Sequence, residues 1–340
     1  MARSEITIDL GALRRNARTL LRALAGAELW AVVKADAYGH GVHDCARAAI
    51  AGGARVLCVA TVTEAVALRR ELSEARIVVM GPAWPWEVHE AREARLELVV
   101  SGGPIPEGIP LHLKLDTGMG RWGFGELPAP GRHVVGLMTH LATADSDPAF
   151  ARRQIERFRE AAESFPHLTR HAANSAAALR LPESRFDAAR CGIALYGLSP
   201  FGEDPAVDRL EPVLSWRSEV VQSRLLRAGE ATGYGRRFVA EHDTWIGILP
   251  VGYADGFRRD LTGTQVLVDG ERCAVVGTVS MDATAIQLPH EVAPGTEVTL
   301  VGPGLLLEEH ARVADTINYE LACGIDSSPT RATRIVHGPD

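Results

Sequence analysis

The sequence predicts an α/β chain in two parts: an N-terminal (β/α)8 barrel of the TIM type over residues 1–205, then a mostly β C-terminal domain over residues 206–340. Residues 1–10 are also compatible with a strand that joins the second domain. Three observations predict this. Short apolar, β-branched runs alternate with helical patterns about eight times before position 200, and strands apolar on both faces belong to parallel sheets covered by crossover helices. After LYGLSPFGEDPAV the texture changes to short strands cut by DG and PG turns. A chain of 340 residues exceeds the roughly 250–300 that one core usually holds. A doubly wound open sheet is the competing reading of the first half.

The elements follow in order. GALRRNARTLLRALAG reads as a helix and ELWAVVKADAYG as a strand running into a loop. HDCARAAIAGGA is helical, RVLCVATV a strand and TEAVALRREL a helix. RIVVMGPA, LELVVSG, LHLKLDTGMG, HVVGLMTHLATA and LTRHAANS continue the strands, with the helical FARRQIERFREAAESF among them. Two crossovers are short. GPIPEGIP and GELPAPGR are rich in Pro and Gly, so loops or single turns are expected there, leaving two shallow places on the outer ring. VLSWRSEVVQSRLL, TWIGILPVGYADG, TQVLVDGERCAVVGTVSM, ATAIQLP and TEVTLVG make the second half a β barrel or sandwich.

Composition narrows the function. With 36 Lys and Arg against 43 Asp and Glu, the net charge is -7 and no basic stripe speaks for nucleic acid. The five cysteines (Cys45, Cys58, Cys191, Cys273 and Cys323) form no CxxC pair, which suggests free thiols in a reducing compartment and no zinc site. The first residues hold no apolar h-region and no stretch could span a bilayer, so a cytoplasmic enzyme without membrane or metal is expected.

Lys34, in VVKADAYGHG, stands where an apolar strand meets a glycine-bearing loop. The C-terminal strand ends of such a barrel carry the active site, and a desolvated lysine there can form a Schiff base. A solvated lysine just past a strand is the bland alternative.

VVKADAYGHG, LDTGMGRWG, THLATAD, HAANSAA, RCGIALYGL, GYADGF, SMD and INYE together resemble alanine racemase, a fold-type III pyridoxal-phosphate family, in its order and spacing from residue 34 to residue 319. The resemblance implies racemisation of alanine, with D-alanine supplied to peptidoglycan. Lys34 would hold pyridoxal 5'-phosphate and act as base on one face. Tyr234, in TGYGRRF, would act on the other, because one base cannot reach both sides of a planar carbanion. Free lysine and tyrosine titrate near about 10.4 and 10, so both need help at neutral pH.

The resemblance places Arg190 against the pyridine nitrogen. A guanidinium keeps its proton, so the ring nitrogen stays unprotonated and the carbanion short-lived, which favours racemisation over transamination. His171 would lean on Arg190, and His140 would lie against the ring near Tyr234. Ser175, Gly192, Ile193, Tyr38 and Tyr319 would hold the phosphate, with Asn174–Ser175 opening a helix. Arg121 would steer the substrate carboxylate or the cofactor's phenolic oxygen, oriented by a carbamylated Lys114, and Met281 would offer its backbone N–H. Tyr253, Asp282, Asp145 and Arg259 would line a gate. Tyr234, Tyr253 and Met281 would come from a partner, giving a head-to-tail homodimer with shared sites.

The chain departs from the family pattern at Ser328 and Thr278, where arginines are common, both in the outer access corridor, and at Asp36, where asparagine is common. A broader racemase of small amino acids such as serine therefore stays open. A fold-type III decarboxylase would set a carboxylate where Arg190 stands, and a barrel-only cofactor carrier would lack the second domain.

Overall fold

The computed structural model describes residues 3–338. It divides into two compact units: one comprises residues 11–201 and 205–211, the other residues 3–10, 202–204 and 212–338. The first strand, β1 (Glu5–Asp9), belongs to the second unit.

The first unit is a closed barrel of eight parallel strands: β2 (Glu28–Val32), β3 (Val56–Val59), β4 (Arg76–Val79), β5 (Glu97–Val100), β6 (Leu111–Lys114), β7 (Val134–Met138), β8 (Thr169–His171) and β9 (Ala188–Cys191). Closure comes from β2 pairing with β9, Trp30 opposite Arg190. The strands are apolar on both faces because both are covered: β3 is 0–1% exposed along its length. The helix Leu10–Leu24 shows the matching period. Leu10, Leu13, Ala17, Leu20 and Leu24 are buried, while Arg15, Arg18 and Arg22 face water. Burying each such leucine contributes roughly 1.5–3 kcal/mol.

Neither shortened crossover holds a helix. After β5 the chain runs through Pro104, Pro106 and Pro110, and Arg92 ties the loop by donating to the carbonyls of Glu107 (2.5 Å) and Gly108 (3.2 Å). Val135, on the outer face of β7, is 38% exposed for want of a covering helix. No helix among the described residues is long and apolar enough to cross a membrane.

The second unit adds β10 (Leu214–Glu219), β11 (Gln222–Leu226), β12 (Ala231–Thr232), β13 (Phe238–Val239), β14 (Thr244–Leu249), β15 (Gln265–Val268), β16 (Glu271–Val276), β17 (Thr284–Leu288), β18 (Glu297–Val301) and β19 (Thr333–His337). Nine strands form one sheet in the order β11-β14-β17-β16-β15-β18-β10-β1-β19; β12 and β13 pair separately. β1 runs antiparallel to β10 and parallel to β19. Asp269–Gly270 turns β15 into β16 with positive φ at both residues, the two-residue hairpin that DG encodes. Leu226, Ala240, Ile246 and Val276 form an apolar core. Two short helices, Leu307–Val313 and Asn318–Gly324, interrupt the β pattern, and INYE lies on the second.

Candidate active site

Lys34, Lys114, His140, His171, Arg190 and Gly192 all stand at or just beyond the C-terminal ends of barrel strands. Lys34 is half-buried two residues past β2. The sequence reads a loop after it; the chain instead makes a left-handed helical turn, Ala35, Asp36, Ala37 and Tyr38 having φ of 51–55° and ψ of 39–54°. Each such L-residue costs about 1–2 kcal/mol, so the turn must be held by its surroundings. Glu64 Oε1 accepts from the Ala35 N–H (2.9 Å) and Asp36 Oδ1 from the Val42 N–H (2.7 Å). His40 stacks on Tyr196 (4.6 Å between centroids), whose hydroxyl donates to the Val32 carbonyl (2.9 Å). Lys34 thus follows a braced backbone.

Arg190 is a buried cation, and among the described residues no carboxylate is within ion-pair distance of it. Its Nη1 donates to His171 Nδ1 (2.9 Å) and the His171 carbonyl (2.8 Å). Its Nη2 donates to the carbonyls of Thr139 (2.8 Å) and Ala172 (3.2 Å) and meets His140 Nδ1 at 3.3 Å. All of its hydrogen bonds to described residues come from Nη1 and Nη2, and none from the Nε–H. Burial pushes Arg190 down to about 10, which still leaves it protonated at neutral pH. Since arginine only donates, both imidazoles must accept at Nδ1, and a neutral ring then carries its proton on Nε2. Burial, then Arg190, hold His171 and half-buried His140 well below the usual histidine value, so both are neutral.

A positive cluster surrounds this group. Lys114 is 2% exposed, with its Nζ 5.3 Å from the centre of the Trp122 ring, and the exposed Arg121 lies over the same ring at 4.7 Å. Burial, then Arg121 and Arg190, push Lys114 down to about 8. Arg121 follows a turn pinned by Asp116, whose carboxylate accepts from the backbone of Gly118, Met119 and Gly120 (2.9–3.2 Å). Arg190, Arg121, Lys114 and Lys34 all act on His140. Such a mouth suits a ligand with several negative charges.

Asn174, not Ser175, caps the short helix Ser175–Arg180, accepting from the Ala177 N–H at 3.0 Å. Ser175 Oγ accepts from the N–H groups of Gly192 (3.1 Å) and Ala194 (3.4 Å), so its own proton can point outward beside Ile193. A Cβ on Gly192 would overlap the Tyr38 hydroxyl and lie 2.8 Å from Cζ, so only glycine lets that ring sit there. Gly192→Ala is expected to displace Tyr38 and weaken binding of an anionic ligand at this strand end by about 10-fold or more, on the order of one lost hydrogen bond to a charged group. A fluorescence titration with pyridoxal phosphate as the anionic probe checks this; unchanged affinity means that Tyr38 and Gly192 do not shape an anion site.

Tyr234, Tyr253, Met281, Asp282 and Tyr319 lie in the second unit. Tyr234, Tyr253 and Met281 are 73%, 42% and 52% exposed, large for residues that are aromatic or apolar. Three loops carrying them are stapled together. Thr278 Oγ1 donates to the Tyr234 carbonyl (3.0 Å), and the N–H groups of Tyr253 and Ala254 donate to Ser280 and Met281 carbonyls (3.0 Å each). Asp282 is gripped by Arg331 (2.7 Å) and by Arg3, which donates to its carbonyl (2.8 Å). Thr278 therefore fixes the Tyr234 loop, while the Ser328 backbone N–H closes a turn by donating to Asp326 Oδ1 (2.8 Å). Asp145 and Arg259 are exposed, and Tyr319 is half-buried on its helix. Among the described residues no group of three His, Cys, Asp or Glu could hold a metal ion.

The sequence reading missed Glu64, Trp122, His112 and Glu97. Glu64 had a signal, since Thr61-x-x-Glu64 is a capping-box pattern and the box forms. His112 was visible only as a polar residue at the inward period of LHLK.

The alanine racemase N-terminal domain family matches residues 8–200, and the alanine racemase C-terminal domain family residues 213–333. Alanine racemase 1 of Bacillus subtilis is 38% identical over 95% of this chain and 91% of its own length. The crystal structure of alanine racemase from E. faecalis superposes with a TM-score of 0.90 at 34% identity, covering 99% of this chain and 98% of that one. That of alanine racemase from Bartonella henselae with covalently bound pyridoxal phosphate has a TM-score of 0.87 at 27% identity, covering 98% and 99%.

Proposed function

This chain belongs to the alanine racemase family, and from that premise we propose that it interconverts L- and D-alanine with two bases, Lys34 and Tyr234 of the partner subunit, on opposite faces of pyridoxal 5'-phosphate. The observation that carries the reading is the Arg190 Nε–H, which donates to no described residue although Arg190 is only 3% exposed, beside three further cations. A neutral pyridine nitrogen is the acceptor such a donor fits, and the phosphate and substrate carboxylate fit the positive mouth.

When bound, pyridoxal phosphate supplies an electron sink that acidifies the substrate Cα–H. Lys34 would hold it covalently through its amine, with Ser175, Gly192, Ile193, Tyr38 and Tyr319 around the phosphate. Arg190 keeps its proton and donates it without transfer. The Lys34 amine would take or return a proton on one face. The phenol of Tyr234 of the partner subunit would do the same on the other, with the His140 Nε2–H available to donate to that oxygen. Arg121 and the backbone N–H of Met281 orient the substrate carboxylate, and Tyr253 with Asp282 limits access. The exposure of Tyr234, Tyr253 and Met281 supports their use by a second copy in a homodimer. D-alanine made this way would feed peptidoglycan.

Lys114 is proposed to be carbamylated: its neutral Nζ attacks CO2, a C–N bond forms and a proton leaves to water. The resulting anion would offset Arg121. With Lys114 near 8, the reactive amine fraction grows as pH rises through that value and vanishes below about 6. A 13C-carbamate NMR signal from labelled bicarbonate should rise from pH 6.5 to 9 and be absent from Lys114→Ala; a pH-independent or absent signal removes the carbamate.

The decisive experiment follows the circular dichroism of L-alanine with purified protein and pyridoxal phosphate, then maps borohydride-fixed cofactor. Decay to a racemic mixture with label on Lys34 is expected; no decay, or label elsewhere, refutes the proposal. One sequence feature favours broader specificity: Thr278 and Ser328 stand where the family commonly carries arginines. A kcat/KM for L-serine equal to that for L-alanine would favour it.

A further inference from the structure

We propose that His112 and Glu97 are positioning residues for Arg190, acting through His171, so that one ordered line of protons across the barrel interior fixes the guanidinium at the mouth. The inference deepens the reading of Arg190 as the partner of the pyridine nitrogen and rests on it.

The line begins at the other rim. Arg76, first residue of β4, donates from Nε and Nη2 to the two carboxylate oxygens of Glu97, first residue of β5 (2.8 and 3.0 Å). Glu97 Oε2 is 2.9 Å from His112 Nε2, His112 Nδ1 is 3.0 Å from His171 Nε2, and His171 Nδ1 is 2.9 Å from Arg190 Nη1. His112 and His171 are fully buried.

Only one proton arrangement satisfies every link. Arginine cannot accept, so His171 Nδ1 must, and its proton sits on Nε2. That N–H donates to His112 Nδ1, which must therefore be bare, and the proton of His112 sits on Nε2 and donates to Glu97. A doubly protonated His112 would turn a second N–H toward the N–H of His171 and break the line. Burial raises Glu97, but the hydrogen bonds from His112 and Arg76 outweigh it and hold the carboxylate at about 2, so the terminal acceptor is charged at neutral pH. Such chains strengthen each member.

The barrel is shaped to admit the line. His112 pairs in register with Gly136 of β7, and a Cβ on Gly136 would overlap His112 Nδ1 and lie 2.8 Å from Cε1. Trp30 packs against both rings, 5.6 Å from His112 and 4.5 Å from His171. The rings can neither tilt nor flip without losing contacts, and Arg190 inherits that rigidity. If His171 carried its proton on Nδ1, two N–H groups would face each other and the guanidinium would swing, taking Nε with it.

Long-range 1H–15N NMR of holoenzyme labelled at histidine reads the tautomers directly. Neutral His112 and His171, each with the proton on Nε2, are expected; a charged ring or an Nδ1–H tautomer at either overturns the proposal. In His112→Phe the His171 Nε2–H loses its acceptor, and its signal should broaden or shift to the other tautomer. There kcat should fall about 10–100-fold, as for outer partners of a site, with KM for alanine within about 3-fold. A merely space-filling His112 would leave the His171 tautomer unchanged. Glu97→Gln guards against misfolding of the first variant; kcat within 2-fold of wild type in both folded variants overturns the proposal. Failure of the underlying reading shows separately, as borohydride fixing no pyridoxal on Lys34 whatever the ring tautomers.

Discussion

Lys34→Ala is expected to lower the racemisation rate at least about 10⁴-fold in both directions, since it removes the covalent hold on the cofactor and one of two bases, each base being worth about 10²–10⁴-fold. The side chain stands two residues beyond β2, on backbone braced by Glu64, Asp36 and Tyr196. The substitution deletes chemistry and little packing, because Lys34 is only half-buried. The purified variant should be colourless with added pyridoxal phosphate, take up no borohydride label and unfold at the wild-type temperature within a few degrees. Activity within 10-fold of wild type would mean that another amine anchors the cofactor.

Tyr234→Phe is expected to cut racemisation about 10²–10⁴-fold yet leave one enantiomer exchanging its Cα hydrogen with solvent, because Lys34 still serves one face. Following deuterium uptake into D- and L-alanine separately checks this. Equal exchange of both enantiomers would mean that Lys34 alone serves both faces. The phenol is 73% exposed, and its loop is held by the Thr278 hydroxyl on the Tyr234 carbonyl, which phenylalanine keeps. Mixing tests the shared site. A Lys34→Ala copy paired with a Tyr234→Phe copy leaves one of two sites intact, so random reassortment of the two inactive variants should restore about a quarter of wild-type activity. No recovery after proven exchange would mean that each chain completes its own site.

Much of the candidate site was legible as positions along the chain. VVKADAYGHG puts Lys34 at a strand end, and RCGIALYGL does the same for Arg190. The first follows from apolar periodicity and the rule that barrel chemistry sits at the C-terminal ends of strands, the second from the resemblance of its motif to the family's. The left-handed turn after Lys34 was not legible, because ADAY carries no glycine to announce positive φ and its strain is held by groups from other segments, Glu64 lying 29 residues from Ala35. Thr278 is similar: in sequence it is a missing arginine, in the structure the hydroxyl that holds the Tyr234 loop.

The sequence by itself determined the eight-unit alternation of the barrel, the two helix-free crossovers and the DG hairpin, because periodicity, proline and turn chemistry act over a few residues. Only the tertiary structure decided the protonation pattern around Arg190 and the line from Arg76 to His171. His112 and His171 are 59 residues apart, and His171 and Arg190 are 19 apart. Which nitrogen carries a proton depends on the partner it meets across the barrel, and that is set by strand register and by the space Gly136 leaves.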